Sequence, residues 1–214
     1  MNSLVILGAG QQGKVCKQLA ERLGYKVVAF VDDFAKGFIG DIPVYNSIEN
    51  IDDFKAKKFF LAFGESKPRL KYYRLIKKLN LETVNLIDED AKIEEGAVIG
   101  TGNYISKDAI IFSSARIGDC NIINCKAVVA TDVRIGNNNN ISLGVNLCGG
   151  ARVGDNCYIG CQSSISSGFH IGSNVTVGAG AIVLDDVGDN KFVCGIPAKE
   201  KVRKYRYDTS KSST

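Results

Sequence analysis

The chain has 214 residues, 45% of them hydrophobic and 23% charged, with 23 glycines, three prolines and a formal charge of +4. That length holds one large core or two modest ones, and the mild charge and the lack of any apolar run near ~18 residues leave neither nucleic acid nor a membrane as an expected partner. Seven cysteines, an odd number with no CxxC pair, read as reduced packing thiols, and a single histidine leaves too few ligands for zinc, so no metal is expected.

Residues 1–88 read as alternating β and α. Met1-Asn2-Ser3 carries no basic n-region and leads directly into the apolar strand Leu4–Leu7, so a cytoplasmic location is expected. Gly8-Ala9-Gly10-Gln11-Gln12-Gly13 follows, then a helix from about Gln12 to Leu23 with Gly24 placed to cap it. Lys26–Val31 is a second strand ending at Asp32-Asp33, and Lys58–Phe63 another ending at Gly64. A helix from about Pro68 to Leu79 leads to a last strand near Val84–Ile87. This order predicts a small Rossmann-like α/β domain with a parallel sheet.

From Ile93 to Val183 every sixth residue is Ile, Val or Leu without a gap. A period of six fits neither helix nor free strand, and predicts a hexapeptide solenoid whose narrow interior takes one branched aliphatic per strand. Three hexapeptides close one coil, and an 18-residue period agrees: Ala115-Arg116-Ile117-Gly118-Asp119, Val133-Arg134-Ile135-Gly136-Asn137 and Ala151-Arg152-Val153-Gly154-Asp155 recur at that spacing. Arg116, Arg134, Arg152 and His170 should therefore stack in one column, read as a solvated ladder spaced by Asp119 and Asp155, or as an anion- or partner-binding strip. The expected organisation is 1–88 α/β domain, 89–198 parallel β-helix and 199–214 basic polar tail, with Lys199, Lys201, Arg203, Lys204 and Arg206 read as a solvated end or, in the alternative, as an anion contact.

Gly8-x-Gly10-x-x-Gly13 between a strand and a helix lets backbone approach a phosphate at a helix N-terminus. Asp32 and Asp33, about 20 residues on, suit a ribose or sugar hydroxyl. The alternative is a tight turn with no ligand. The domain is short for a full dinucleotide, so one nucleotide moiety fits better than NAD.

An α/β domain of this kind before a hexapeptide solenoid resembles the bacterial sugar O- and N-acyltransferases of the NeuD/PglD type. The likeness runs from residue 4 to about 200. It is carried by Leu7–Lys14, Phe30-Val31-Asp32-Asp33-Phe34, Leu61-Ala62-Phe63-Gly64, Val84-Asn85-Leu86-Ile87, Ile123-Asn124, Gly149-Gly150 and Gly195-Ile196-Pro197-Ala198. The resemblance implies a left-handed parallel β-helix, a homotrimer, and acetyl-CoA in the groove between neighbouring solenoids. It implies a nucleotide-activated amino sugar at Gly10, Gln11, Gln12, Gly13, Lys14, Asp32, Asp33 and Gly64. CoA contacts would fall on Asn140, Gly149, Cys161, Gly178, Ala179 and Gly180.

The chain departs from the family where a histidine base is usual. The His-Asp or His-Glu pair reads Thr131-Asp132, a second histidine reads Asn140, and the glycine-loop histidine reads Gln12. A sugar hydroxyl can hardly attack a thioester without a base, whereas a neutral amine attacks unaided and sheds its proton afterwards. The expected activity is therefore acetyl-CoA-dependent N-acetylation of a UDP- or dTDP-linked amino sugar for surface glycan synthesis. Asp132 would accept the proton and Thr131 or Asn124 would position the amine or oxyanion. Asp132 also reads as a corner residue bonding backbone N–H groups. The competing expectations are a sialic-acid-type O-acetyltransferase or other acyltransferase, and a non-catalytic nucleotide-sugar-binding relative.

Overall fold

The structure is a computed structural model that describes residues 2–202; Arg203, Lys204 and Arg206 of the expected tail lie outside the described residues. The N-terminal part comprises β1 (Ser3–Leu7), α1 (Gln11–Arg22), β2 (Lys26–Val31), β3 (Gly37–Ile39), β4 (Ile42–Tyr45), β5 (Lys58–Leu61) and α2 (Ser66–Lys78). The sheet order is β3-β4-β2-β1-β5, parallel except for the β3–β4 hairpin. The hairpin was not anticipated from sequence. Gly24 stands at φ +80° beyond α1, where the Tyr25 N–H reaches back to the Ala20 carbonyl.

Both faces of this sheet are covered, which accounts for its unbroken apolar runs. On one face Leu4, Ile6, Phe30 and Phe60 pack with Cys16, Leu19 and Ala20 of α1, and Leu86, Tyr104 and Ile122 of the solenoid join the same core. On the other, Val5, Leu7, Phe59 and Leu61 meet Tyr72 and Ile76 of α2, together with Cys120.

The segment expected as the last α/β strand does something different. Thr83 bridges Phe59 of β5, but Leu86–Ile87 pairs in parallel with Tyr104–Ile105 and opens the solenoid. The same few residues thus splice one sheet to the other.

From there the chain is a left-handed parallel β-helix of two-residue strands in three sheets. The docked face carries Leu86–Ile87, Tyr104–Ile105, Ile122–Ile123, Asn140–Ile141, Tyr158–Ile159, Thr176–Val177 and Phe192–Cys194. A second face runs from Lys92–Ile93 to Ile182–Val183, and the third, the arginine face, from Val98–Ile99 to His170–Ile171. Partners lie 18 residues apart, as in Ile111↔Val129 and Ile117↔Ile135. From Ile105 to Val183 the periodic aliphatics are 3% exposed or less, each contributing about 1.5–3 kcal/mol of burial.

Two features of sequence make the coil turn. Every sixth residue from Gly96 to Gly180 lies at positive φ, between +57° and +86°, and the series reads Gly, Gly, Asp, Ser, Cys, Lys, Asp, Asn, Gly, Gly, Asn, Gln, Gly, Asn, Gly. Glycine, Asn and Asp bear this backbone best. Inside one corner, Asn85, Asn103 and Asn121 each accept a backbone N–H from the next coil (2.8–2.9 Å), and Asn139 accepts that of Cys157 (2.7 Å). The amides of Asn85, Asn103 and Asn121 donate to the Gly100, Gly118 and Gly136 carbonyls. Cys157 closes the ladder by donating its thiol to Gly172 O (3.0 Å).

Candidate active site

The glycine loop joins β1 to α1 at the carboxyl edge of the sheet, and its three glycines do different work. Gly8 takes φ +107°, and a Cβ there would meet Ala62 O at 2.8 Å. A Cβ on Gly13 would overlap the Gly8 carbonyl oxygen, so only glycine lets α1 pack this close. Gly10 has nothing within 4 Å of such a Cβ: its flank is open for a ligand. A cavity of about 720 Å³ lies here, lined by Gly10, Gln11, Gln12 and Asp32 on one side and by Ala62–Glu65 and Pro68 on the other. This matches the preference of parallel sheets for ligands beyond their carboxyl ends.

Asp32 has a narrower role than a free ribose acceptor. Its carboxylate takes the Ala9 N–H (2.9 Å) and those of Phe34 and Ala35, bracing the glycine loop against the end of β2. Burial alone would push this carboxyl up, but the three N–H donors outweigh it and hold it below its ordinary value. Asp33 faces α2, bound by Lys71 (2.5 Å) and the Tyr72 hydroxyl (2.9 Å). It does not line the cavity, nor do Gly13 and Lys14. Gln12 sends its amide to the Cys16 thiol (3.5 Å), whose pKa burial raises to about 12.

A line of hydrogen bonds leads from the cavity to the solenoid. Asn140 donates to Gly64 O (3.3 Å) and accepts from the Asn124 amide (3.1 Å). Three residues singled out separately in the sequence are thereby brought together. Thr131 and Asp132 are not among them. They turn the opposite edge of the second face, separated from Asn124 by the strand Val128–Val129, and both are exposed. Gly149-Gly150 stacks on that same corner, with Gly150 N–H on Thr131 O (3.0 Å). Cys161 and Gly178–Gly180 turn the Asn124 edge instead, where Gly180 N–H bonds Cys161 O (2.8 Å). A Cβ on Gly178 would press on Cys194 at 2.6 Å, while Gly180 is open.

The arginine column forms in register, Arg116↔Arg134↔Arg152↔His170, and is exposed. Its spacing by Asp119 and Asp155 does not occur. Asp119 binds Tyr73 (2.6 Å), Thr101 N–H and Lys77, and Asp155 accepts from Asn137. Those acids turn toward α2 and the next coil. His170 stands 4.0 Å from Asp186 on this outer face, away from both candidate corners.

Sequence reasoning passed over Arg69. It is 1% exposed, on the buried stripe of α2 with Tyr72 and Ile76, a spacing of i, i+3, i+7 that could have exposed it. Its guanidinium donates to five carbonyls: Phe63 (2.7 Å), Gly64 (3.2 Å), Cys120 (3.0 Å), Asn138 (2.9 Å) and Asn139 (3.3 Å). Burial lowers its pKa to about 10, which leaves it charged at neutral pH.

Residues 3–76 match the PglD N-terminal domain family, and residues 150–185 the bacterial transferase hexapeptide family of six repeats. The acetyltransferase domain of PglB from Neisseria gonorrhoeae is 30% identical over 94% of this chain and 100% of that one, with a TM-score of 0.87. The chain belongs to the NeuD/PglD-type sugar acyltransferase family. A second structure of that PglB domain, with a TM-score of 0.86 and the same identity and coverage, is a complex with acetyl coenzyme A. PerB from Caulobacter crescentus, in complex with CoA and GDP-perosamine, is 28% identical over 94% of this chain and 98% of its own, with a TM-score of 0.85. As a member of this acyltransferase family the protein is an enzyme.

Among the described residues no group of three or more His, Cys, Asp or Glu is gathered to hold a metal, and no helix is long and apolar enough to cross a membrane.

Proposed function

We propose that the protein transfers the acetyl group of acetyl-CoA to the amine of a nucleotide-linked amino sugar. The observation that carries this is the link from the cavity rim at Gly64, through Asn140, to Asn124 on the solenoid. It ties a phosphate-accepting glycine loop to the part of the fold that handles CoA in the family. Two relatives support the substrate class: one PglB structure holds acetyl coenzyme A, and the PerB structure holds GDP-perosamine with CoA.

In this reading residues 1–88 hold the nucleotide-sugar, with the pyrophosphate against Gly10–Gln12 and the α1 N-terminus. Residues 89–198 hold acetyl-CoA, along Gly149, Cys161 and Gly178–Gly180. The active form is a homotrimer in the cytoplasm that serves surface glycan synthesis. The Thr131–Asp132 corner of one subunit then faces the Asn124–Asn140 edge of its neighbour, because one chain holds these groups on opposite edges of the same face. The neutral amine attacks the thioester carbonyl, a C–N bond forms, the C–S bond breaks and thiolate leaves. The Asp132 carboxylate takes the ammonium proton and passes it to the thiolate; the Asn124 amide steadies the oxyanion. A nucleotide that could be UDP, dTDP or GDP fits this scheme equally.

The test is acetyl transfer to an amino sugar against its hydroxyl counterpart on the same nucleotide. Transfer to the amine at least ~100-fold faster is expected, since positions 12, 131 and 140 carry Gln, Thr and Asn and place no histidine at either candidate corner to deprotonate a hydroxyl. Equal or faster transfer to the hydroxyl would establish the O-acetyltransferase reading instead.

A further inference from the structure

We infer that Arg69 is a positioning residue that fixes the acceptor side of the site against the solenoid, and so sets the approach of amine to thioester. The inference builds on the acyltransfer reading above. Among the described residues Arg69 has no acidic partner within ion-pair distance; its five hydrogen bonds go to backbone oxygens drawn from both parts of the molecule. Phe63 and Gly64 form the cavity rim. Cys120, Asn138 and Asn139 turn one corner of the solenoid in successive coils. A planar fork with five donors can bridge two such sets at fixed angles, which an ammonium cannot do.

Neighbouring bonds act in the same direction. Asn138, 1% exposed, donates to Ser66 O at the start of α2 (3.0 Å). Asn140 donates to Gly64 O. The run Asn137–Asn140 therefore works as a clasp in which consecutive side chains serve different ends. Asn137 and Asn139 join the coils to each other, Asn138 both donates to Asn156 of the next coil and reaches α2, and Asn140 reaches the cavity rim. Arg69 lies across the same carbonyls from the other side. Its role is distinct from holding the fold alone, because the residues it grips flank the proposed substrate cavity and the Asn140–Asn124 pair.

The experiment uses the full chain and compares wild type with Arg69→Lys and Asn138→Ser. Each variant is checked by circular dichroism and sedimentation before assay. Turnover is followed with acetyl-CoA and the nucleotide-linked amino sugar varied in turn, and scanning calorimetry is run on the same samples. The expected result is kcat lowered ~10-fold or more in Arg69→Lys and several-fold in Asn138→Ser, with KM for acetyl-CoA within ~2-fold of wild type. Calorimetry should show wild type unfolding in one transition, and that transition broadening or splitting in the variants as the two parts uncouple. A folded variant with kcat within ~2-fold of wild type overturns the positioning role. If Arg69→Lys does not fold, Asn138→Ser alone decides by the same criterion. Absence of turnover in wild type would count against the acyltransfer reading; an unsplit transition in the variants would count against the clasp.

Discussion

Asp132 stands at φ +62°, one member of the six-residue series of left-handed corners. An Asx residue suits that backbone whatever its chemistry, and the hydrogen bonds expected of a plain corner acid are not formed by its carboxylate among the described residues. Asp132→Asn keeps the backbone preference and removes the charge. It should leave the melting temperature unchanged and lower kcat at least ~100-fold; a near-normal rate would mean the amine gives its proton to water. The glycine loop offers a sharper contrast. Gly13→Ala should cost about 2–4 kcal/mol in chemical denaturation, because its Cβ would overlap the Gly8 carbonyl. Gly10→Ala should leave stability unchanged and weaken nucleotide binding ~10-fold or more, since its Cβ enters only the open cavity. Calorimetric titration with the nucleoside diphosphate separates the two.

At the level of elements, the solenoid was legible because its interior admits one residue class at one spacing. The second six-residue series, the left-handed corners, was harder to see: Ser114, Cys120, Lys126 and Gln162 occupy it beside the glycines and Asx residues. β3 and β4 were missed because Gly37–Ile39 and Ile42–Tyr45 are short and half-exposed, with no strong alternation. Leu86–Ile87 was assigned to the wrong sheet, since an apolar pair does not reveal which neighbour it will hydrogen-bond. The glycine motif located the cavity, yet Asp33 and Lys14 lie outside its lining, because side-chain direction at a strand end depends on α2 packing. The asparagine ladder left no periodic apolar signal at all. Asn121→Ala removes an amide that serves Asn103, Gly136 and Asn139 in a fully buried corner. A loss of about 2–4 kcal/mol is expected in urea denaturation, from buried partners left unpaired.

Across the whole molecule, α2 is fastened to the solenoid by Arg69 and by Asp119. Burial alone would push the Asp119 carboxyl up, but the Tyr73 hydroxyl, the Thr101 N–H and Lys77 together hold it below its ordinary value. A carboxyl lowered in the folded state adds stability above its unfolded pKa of about 3.9, lost as pH falls through the folded value. Asp32 and Asp33 shift in the same direction. Stability should therefore hold steady above about pH 4 and fall below it, and Asp119→Asn should flatten that fall in melts taken from pH 2 to 7. The two halves of the chain are thus coupled by buried donors and by a titrating contact. The central claim is met most directly by measuring CoA-SH release from acetyl-CoA with UDP-, dTDP- and GDP-linked amino sugars. Release with at least one of them, and an N-acetylated product, is the predicted result. Tight binding of a nucleotide-sugar with no release from any would contradict it and leave a protein that binds without transferring.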